Sequence, residues 1–194
     1  MPKVFSVLVA ILCAVLGTAT SAQQSASMDV LFAQLGDSTT TDRAFHQILK
    51  ASRKDPAERT SAVERLPFII EKNQGNRPWV NSVVLAGKLK AENAIPVLIE
   101  VLPKSSDTPS VIVGFADSYT LRNDPVGMAL CEIGDSSVPA LADLLKSSDS
   151  QTRRRAARVL WNMDSAASRK VLTDHMERET DPGIKQTFGV PKTK

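Results

Sequence analysis

Three stretches of the chain repeat one apolar pattern, and this repeat limits the possible folds more than any other feature of the sequence. The stretches are Ser82–Leu102, Val126–Leu145 and Ala156–Met176. They align on Leu89, Ile133 and Met163, and each has small or apolar residues three and six positions earlier. A short polar break then leads to a second apolar segment. Such internal similarity is typical of folds in which one structural unit is stacked on copies of itself.

Each copy predicts a pair of helices. In the second copy, the apolar residues of the second segment fall at the i, i+3, i+6 and i+7 positions of one helical face. They are Val138, Leu141, Leu144 and Leu145. Start signals agree with this reading, because an acid precedes a proline or a polar turn at Asp55-Pro56, Asp124-Pro125 and Asp149-Ser150. Ser136-Ser137 before Val138-Pro139 predicts a similar cap.

Small residues occupy the middle of the first helix in each copy. They are Gly87, Gly127, Cys131, Ala156 and Ala157. A glycine inside a helix costs about 1 kcal/mol relative to alanine. We therefore expect a neighbouring helix to approach closely at these positions.

The rest of the chain is less regular. Helical spacing predicts short helices over Met28–Leu35, Thr41–Lys54 and Ala57–Asn73, which we interpret as an irregular N-terminal cap over residues 28–75. Residues 103–123 break the pattern and predict an inserted loop, and residues 189–194 predict a flexible tail. Residues 23–188 then form one helical domain, with repeats at 78–102, 125–147 and 151–179.

The first 22 residues have the three parts of a secretory signal peptide: Lys3, the apolar run Val4–Leu16, and small residues ending at Ala22. We expect cleavage after Ala22 and export to the periplasm or the extracellular space, with no membrane span after removal. An uncleaved anchor is the alternative, although the run is shorter than the roughly 20 residues that span a bilayer. A lipoprotein site at Cys13 is disfavoured by Leu12.

Charge and cysteine content restrict the function classes. The formal net charge is +3, and it falls to +2 once Lys3 is removed with a leader that contains no acid. This near-neutral balance does not favour a nucleic-acid partner. Cys131 is the single cysteine after residue 22, so an internal disulfide is excluded and stability must come from packing.

Catalytic and metal-binding motifs are not found. His46 and His175 lie in no HExxH or comparable pattern, and no GxSxG or glycine-rich phosphate loop occurs. Cys131 lies in a packing helix, so a buried and inert thiol is favoured over a nucleophile. We predict no catalytic residue, no cofactor and no metal.

Four residues are candidates for contacts with a partner: Trp79, Tyr119, Arg154 and Arg158. The two aromatic residues flank a turn or a loop, although a packing role is the alternative for Trp79. The two arginines share a helical face within the basic run 153–158. The alternative for that run is an arginine at 153 that bridges to Asp149 or to a neighbouring unit, with solvated companions.

Residues Pro125–Leu160 resemble the HEAT-like repeat first noted in phycobilisome lyases. The matching parts are Ala129-Leu130, Ile133-Gly134, Val138-Pro139 with Leu141, Asp149, and Arg153. The first copy is poorer, because Lys90 replaces Gly134, and the third lacks both the glycine and the proline. The resemblance implies an all-α fold, a short α-solenoid of antiparallel helix pairs with about eight to nine helices.

This fold mostly serves as a binding scaffold. We therefore expect a non-enzymatic, exported protein-interaction scaffold whose partner is another protein, with the 103–123 loop as a source of specificity. One alternative is an accessory factor that holds a small cofactor or pigment for another enzyme, as the lyase-type repeats do. A second alternative is a structural role in an envelope assembly.

Overall fold

A computed structural model describes residues 28–72, 75–104 and 124–189 of the chain, and these residues are all-helical, without a strand. They form ten α-helices and two short 3₁₀ turns, at Glu92–Ala94 and Asp135–Ser137. The helices are α1 (residues 28–35), α2 (Thr41–Lys54), α3 (Pro56–Lys72), α4 (Arg77–Lys88), α5 (Ile95–Val101), α6 (Pro125–Ile133), α7 (Val138–Leu144), α8 (Ser150–Met163), α9 (Ala166–Met176) and α10 (Pro182–Phe188).

The predicted number of helices was too low, because α10 was not anticipated. Only Ile184 and Phe188 are large and apolar in this helix, too few to show a helical period in the sequence. Its start signal is nevertheless present, since the Asp181 carboxylate accepts a hydrogen bond from the Ile184 N–H at 3.0 Å. Phe188 and Ile184 are buried and attach α10 to the core.

The helices form two rows. The first row contains α2, α4, α6, α8 and α10, and each contacts the next; the second row contains α3, α5, α7 and α9, again in contact order. Apart from residues 102–124 between α5 and α6, short connections join consecutive helices of the two rows, as expected for antiparallel helix pairs. α1 adds to the end of the second row, because Asp29 forms an ion pair with Arg65 of α3 and Phe32 packs under the same guanidinium group.

Most predicted helix starts are confirmed. Asp55, Asp124 and Asp149 each accept a backbone N–H of the following helix, at 2.8, 2.8 and 2.9 Å. The predicted serine cap before α7 was wrong. The Ser137 hydroxyl donates instead to the carbonyl oxygens of Leu130 and Gly134, because the preceding 3₁₀ turn already pairs the backbone there.

The close approach expected at Gly87 is confirmed. A Cβ atom at this position would lie 2.9 Å from the Cα of Ala129 on α6 and 2.9 Å from a carboxylate oxygen of Glu132. Gly87 is buried, and Lys88 next to it forms an ion pair with Glu132 across the same pair of helices. α4 and α6 lie on opposite sides of residues 105–123 in the sequence, so this contact joins the two parts of the described chain.

Several predictions lie outside the described residues. They concern the leader over residues 1–22, residues 105–123 of the inserted loop with Tyr119, and residues 190–194 of the tail. In the described part, Pro103 and Lys104 continue α5 as a turn. No helix of that part is both long enough and apolar enough to cross a membrane.

We predict that Gly87→Ala destabilises the fold. Alanine is the better helix former by about 1 kcal/mol, but the new methyl group would collide with backbone atoms, which cannot move aside as a side chain can. Because α4 and α6 must separate, we expect a net loss of about 1–3 kcal/mol in the free energy of unfolding, measured with urea.

Gly36→Ala is the matched control, because a Cβ there would make only an ordinary contact of 3.5 Å with the Ala33 carbonyl oxygen. Its unfolding midpoint should stay close to that of the unmodified protein. Equal midpoints for both alanine variants would show that α4 and α6 are not packed as closely as described.

Candidate functional site

The basic run of α8 binds the connections between helices. Arg153 contacts Glu179 and Arg154 contacts Asp181, both in the connection between α9 and α10. Arg155 donates to the carbonyl oxygens of Leu102 and Pro103, and Arg158 contacts Asp124, so these two arginines reach the two ends of the connection between α5 and α6. The run therefore stabilises the stack from within. The predicted contacts of Arg154 and Arg158 with a partner stay a prediction. Both side chains already form an ion pair with a carboxylate of the same chain.

The pair of Arg153 and Glu179 has the most complete set of hydrogen bonds. Arg153 donates through Nε and one terminal nitrogen to the two carboxylate oxygens, at 3.0 and 2.9 Å, in bidentate geometry. The Glu179 side chain is fully buried. Its oxygens also accept the Thr180 and Asp181 N–H groups at 2.8 Å and lie 2.7 Å from Nε2 of His175.

These contacts make Glu179 a structural group. The Arg153 guanidinium, together with the backbone N–H groups and His175, holds the pKa of Glu179 far below its usual range, although burial acts in the opposite direction. The same hydrogen bonds raise the pKa of Arg153. A carboxylate with such a depressed pKa is a poor general base at neutral pH. The remaining donor of Arg153 binds the carbonyl oxygens of Ser147 and Ser148, so one side chain joins two connections.

Glu179→Gln should destabilise the protein by about 3 kcal/mol at neutral pH, because it leaves the buried Arg153 without its counter-charge. The pH dependence should change as well. Since the pKa of Glu179 is depressed in the folded state, its contribution is complete above the unfolded carboxyl pKa of about 4.3 and is lost as the pH falls toward the folded value. Urea unfolding at a series of acidic pH values measures both effects.

Asp174→Asn is the control for this experiment. Asp174 is an exposed acid on α9, and its carboxylate lies 2.7 Å from the Lys170 ammonium group. Such surface ion pairs contribute less than about 1 kcal/mol to the free energy of unfolding. If the Glu179 variant were as stable as the control, and lost stability in acid as steeply as the unmodified protein, the structural role of Glu179 would be refuted.

The histidines and the cysteine do not assemble into a site. His46 is exposed on α2, where its ring meets that of Phe45 edge-on with the centroids 5.2 Å apart. Cys131 is partly rather than fully buried, and its thiol donates to the Val159 carbonyl oxygen at 3.3 Å. Within residues 28–72, 75–104 and 124–189, no three His, Cys, Asp or Glu side chains are grouped so that they could hold a metal ion.

Trp79, a candidate for contact with a partner because it flanks a turn, is buried. α4 begins at Arg77, so Trp79 already belongs to the first helical turn, and its backbone N–H donates to the Asn76 side-chain oxygen at 2.9 Å. Its ring is 5% exposed and lies on the buried face with Val83 and Ala86. The packing alternative describes this residue.

An exposed aromatic residue lies on α3 instead. The ring of Phe68 is 65% exposed, more than any other large apolar side chain of the described residues. Lys72 lies over this ring, 5.7 Å from its centroid. Beside Phe68, an open groove of ≈ 780 Å³ runs between α1 and α3, with Arg65 and Ile69 in its wall. The sequence contains a signal for this position, because Phe68 falls off the helical face formed by Ala62, Leu66 and Ile70.

A second groove, of ≈ 520 Å³, lies between α8, α9 and α10. Leu172 and Met176 line it, and the Trp161 and Phe188 rings meet edge-on with their centroids 6.0 Å apart. Charged residues of both signs, among them Lys185, stand at its rim. Its apolar lining with a few polar groups is typical of small-molecule sites.

Comparison with known proteins found a family match for about a third of the chain. A family model described as HEAT repeats matches residues 125–188, which include α6 through α10. The match supports the predicted HEAT-like repeat and extends the region of resemblance beyond Leu160. Searches of curated proteins and of solved structures found no match.

Proposed function

We propose that the protein is a HEAT-like α-solenoid that binds another protein and is exported through the leader at residues 1–22. HEAT repeats generally mediate protein–protein interaction, and this supports the assignment. The contacts of α2 with α4 and of α3 with α5 support the extension of this repeat architecture to the N-terminal helices.

The observation that carries this proposal is the exposed Phe68. Exposed apolar patches rimmed by polar residues mark interaction sites and binding grooves, and aromatic and arginine side chains are enriched at interfaces. Arg65 and Lys72 flank the ring, and the groove between α1 and α3 opens beside it. Because Phe68 projects from a helix of the stack, little conformational entropy is lost when a partner covers it. We infer that an apolar side chain of the partner enters this groove.

Phe68→Ala should remove the partner without unfolding the protein. A central aromatic residue of an interface contributes about 2 kcal/mol or more, which corresponds to a loss of roughly thirtyfold in affinity. The assay is a pull-down from envelope and extracellular fractions of the native host. If the protein is exported as proposed, these fractions contain the chain without residues 1–22. Quantitative mass spectrometry compares the proteins retained by each variant.

Met128→Ala is the control, because Met128 is another exposed apolar residue, at 40%, but lies on α6 in the other row. It should retain the partner at the level of the unmodified protein. Retention by Phe68→Ala would reject the α3 surface as the binding site. Recovery of the full-length, unprocessed chain from the cytoplasm would reject export.

The groove between α8, α9 and α10 supports a second candidate function, the binding of a small apolar ligand on behalf of another enzyme. The volume of ≈ 520 Å³ lies within the usual range of roughly 300–1,000 Å³ for ligand sites. Native mass spectrometry of the protein purified from its host should then show the added mass of a bound ligand. The Leu172→Phe variant fills the groove and should abolish this added mass. A single apo mass under conditions that preserve other complexes would contradict this candidate.

A further inference from the structure

Helix α2 has one solvent-facing side that is entirely basic. Its buried side consists of Thr41, Ala44, Ile48 and Ser52. The exposed side carries Arg43, His46, Lys50, Arg53 and Lys54. With about 100° of rotation per residue, these five residues fall within a sector of about 100° opposite the buried side, and they extend over about 16 Å of the helix. We call them the α2 basic stripe.

The cations of the α2 basic stripe are uncompensated. In the described part of the chain, its lysines and arginines form no ion pair, whereas most other charged helices carry paired or alternating charges, such as Glu64-Arg65 and Glu71-Lys72 on α3. The one acid near its edge, Asp42, already binds Arg77 and Asn81. The four formal charges of the stripe exceed the net charge of +3 of the whole chain, so the remainder is slightly acidic.

We propose that the α2 basic stripe docks an acidic helical segment of a partner protein. Like charges at i, i+3 and i+4 repel one another on an isolated helix face, and opposed carboxylates would relieve that repulsion. Counted from Arg43, the other three cations lie at i+7, i+10 and i+11 along α2, and His46 lies at i+3. A partner helix with Asp or Glu at the matching i, i+7, i+10 and i+11 positions places one carboxylate opposite each of the four cations.

The same observations disfavour other anionic surfaces. A helix that lies in a membrane interface inserts an apolar face, whereas the apolar side of α2 is buried in the core. Single-stranded nucleic acids are bound by aromatic side chains interleaved with cations, and the stripe has no exposed Phe, Tyr or Trp. An acidic polypeptide fits these observations, and electrostatic complementarity to it provides specificity and a fast association rate.

This site is independent of the proposed Phe68 surface. Phe68 lies at the centre of the exposed side of α3, in the second row, while the α2 basic stripe is on the exposed side of the first row. Loss of binding at one surface is therefore expected without loss at the other. The two proposals can fail separately.

The test measures the fluorescence anisotropy of two labelled synthetic peptides as the protein, residues 23–194, is added. The salt concentration is about 50 mM, where exposed charges are weakly screened. Both peptides have the same Ala, Gln and Glu composition. In the first, the glutamates lie at i, i+7, i+10 and i+11 on one helical face; in the second, they are distributed around the helix.

The test variant is Arg43→Gln, Lys50→Gln, Arg53→Gln and Lys54→Gln combined. Glutamine has a helix propensity close to those of lysine and arginine, so the fold should persist, as circular dichroism can check. The control removes four cations elsewhere: Lys104→Gln, Lys146→Gln, Lys170→Gln and Arg178→Gln. Both variants have the same net charge.

We expect the fourfold α2 variant to bind the first peptide at least about tenfold more weakly, since several exposed ion pairs are lost together. The control variant and Phe68→Ala should bind within about twofold of the unmodified protein. The single variant Lys50→Glu serves if the variant with four α2 substitutions loses helicity. It should weaken binding of the first peptide at least about threefold.

Equal affinity for the two peptides, or an equal loss in the control variant, would overturn the proposal, because binding would then depend on net charge alone. Vesicles with phosphatidylglycerol and a 20-nucleotide single-stranded DNA are measured in parallel. The protein could bind the vesicles or the DNA more tightly than the first peptide, and the α2 substitutions could abolish that binding. This result would assign the α2 basic stripe to a lipid or a nucleic acid and would also overturn the proposal.

Discussion

The packing of α4 on α6 requires two helix backbones to come closer than side chains normally permit, and glycine at position 87 makes this possible. A Cβ atom there would lie 2.9 Å from the Cα of Ala129. The contact joins helices that the sequence separates by residues 105–123, and it is continued on the surface by Lys88 and Glu132. The helices before the insertion, which the HEAT match does not include, are thereby attached to those after it.

The arginines of α8 provide a second constraint on the same junction. Arg155 binds the carbonyl oxygens at the end of α5, where a cation also complements the helix dipole, and Arg158 binds Asp124, which caps α6. One helix therefore contacts both ends of the inserted segment. The helices on either side of the insertion therefore stay in contact with each other. The same contacts explain why a basic run occurs in a nearly neutral chain.

Helical period and capping chemistry are local, so the sequence alone could predict nine of the helices and the start signals at Asp124 and Asp149. Long-range partners are not local. The match between Arg153 and Glu179 depends on how α9 ends, and nothing in the spacing of the two residues indicates it. Trp79 was misplaced because the exact start of α4 decides whether its ring faces the core or the solvent. Phe68 was overlooked because one residue off a buried helical face gives only a weak signal.

The central claim is that the helices before and after the insertion form one cooperative stack through α4 and α6. Hydrogen exchange of the native protein, followed by mass spectrometry over a series of low denaturant concentrations, tests it most directly. The account predicts that the most protected amides of α4 and of α6 exchange through one shared opening, with the same free energy and the same denaturant dependence. Two openings with different free energies, one for each side of residues 105–123, would contradict it.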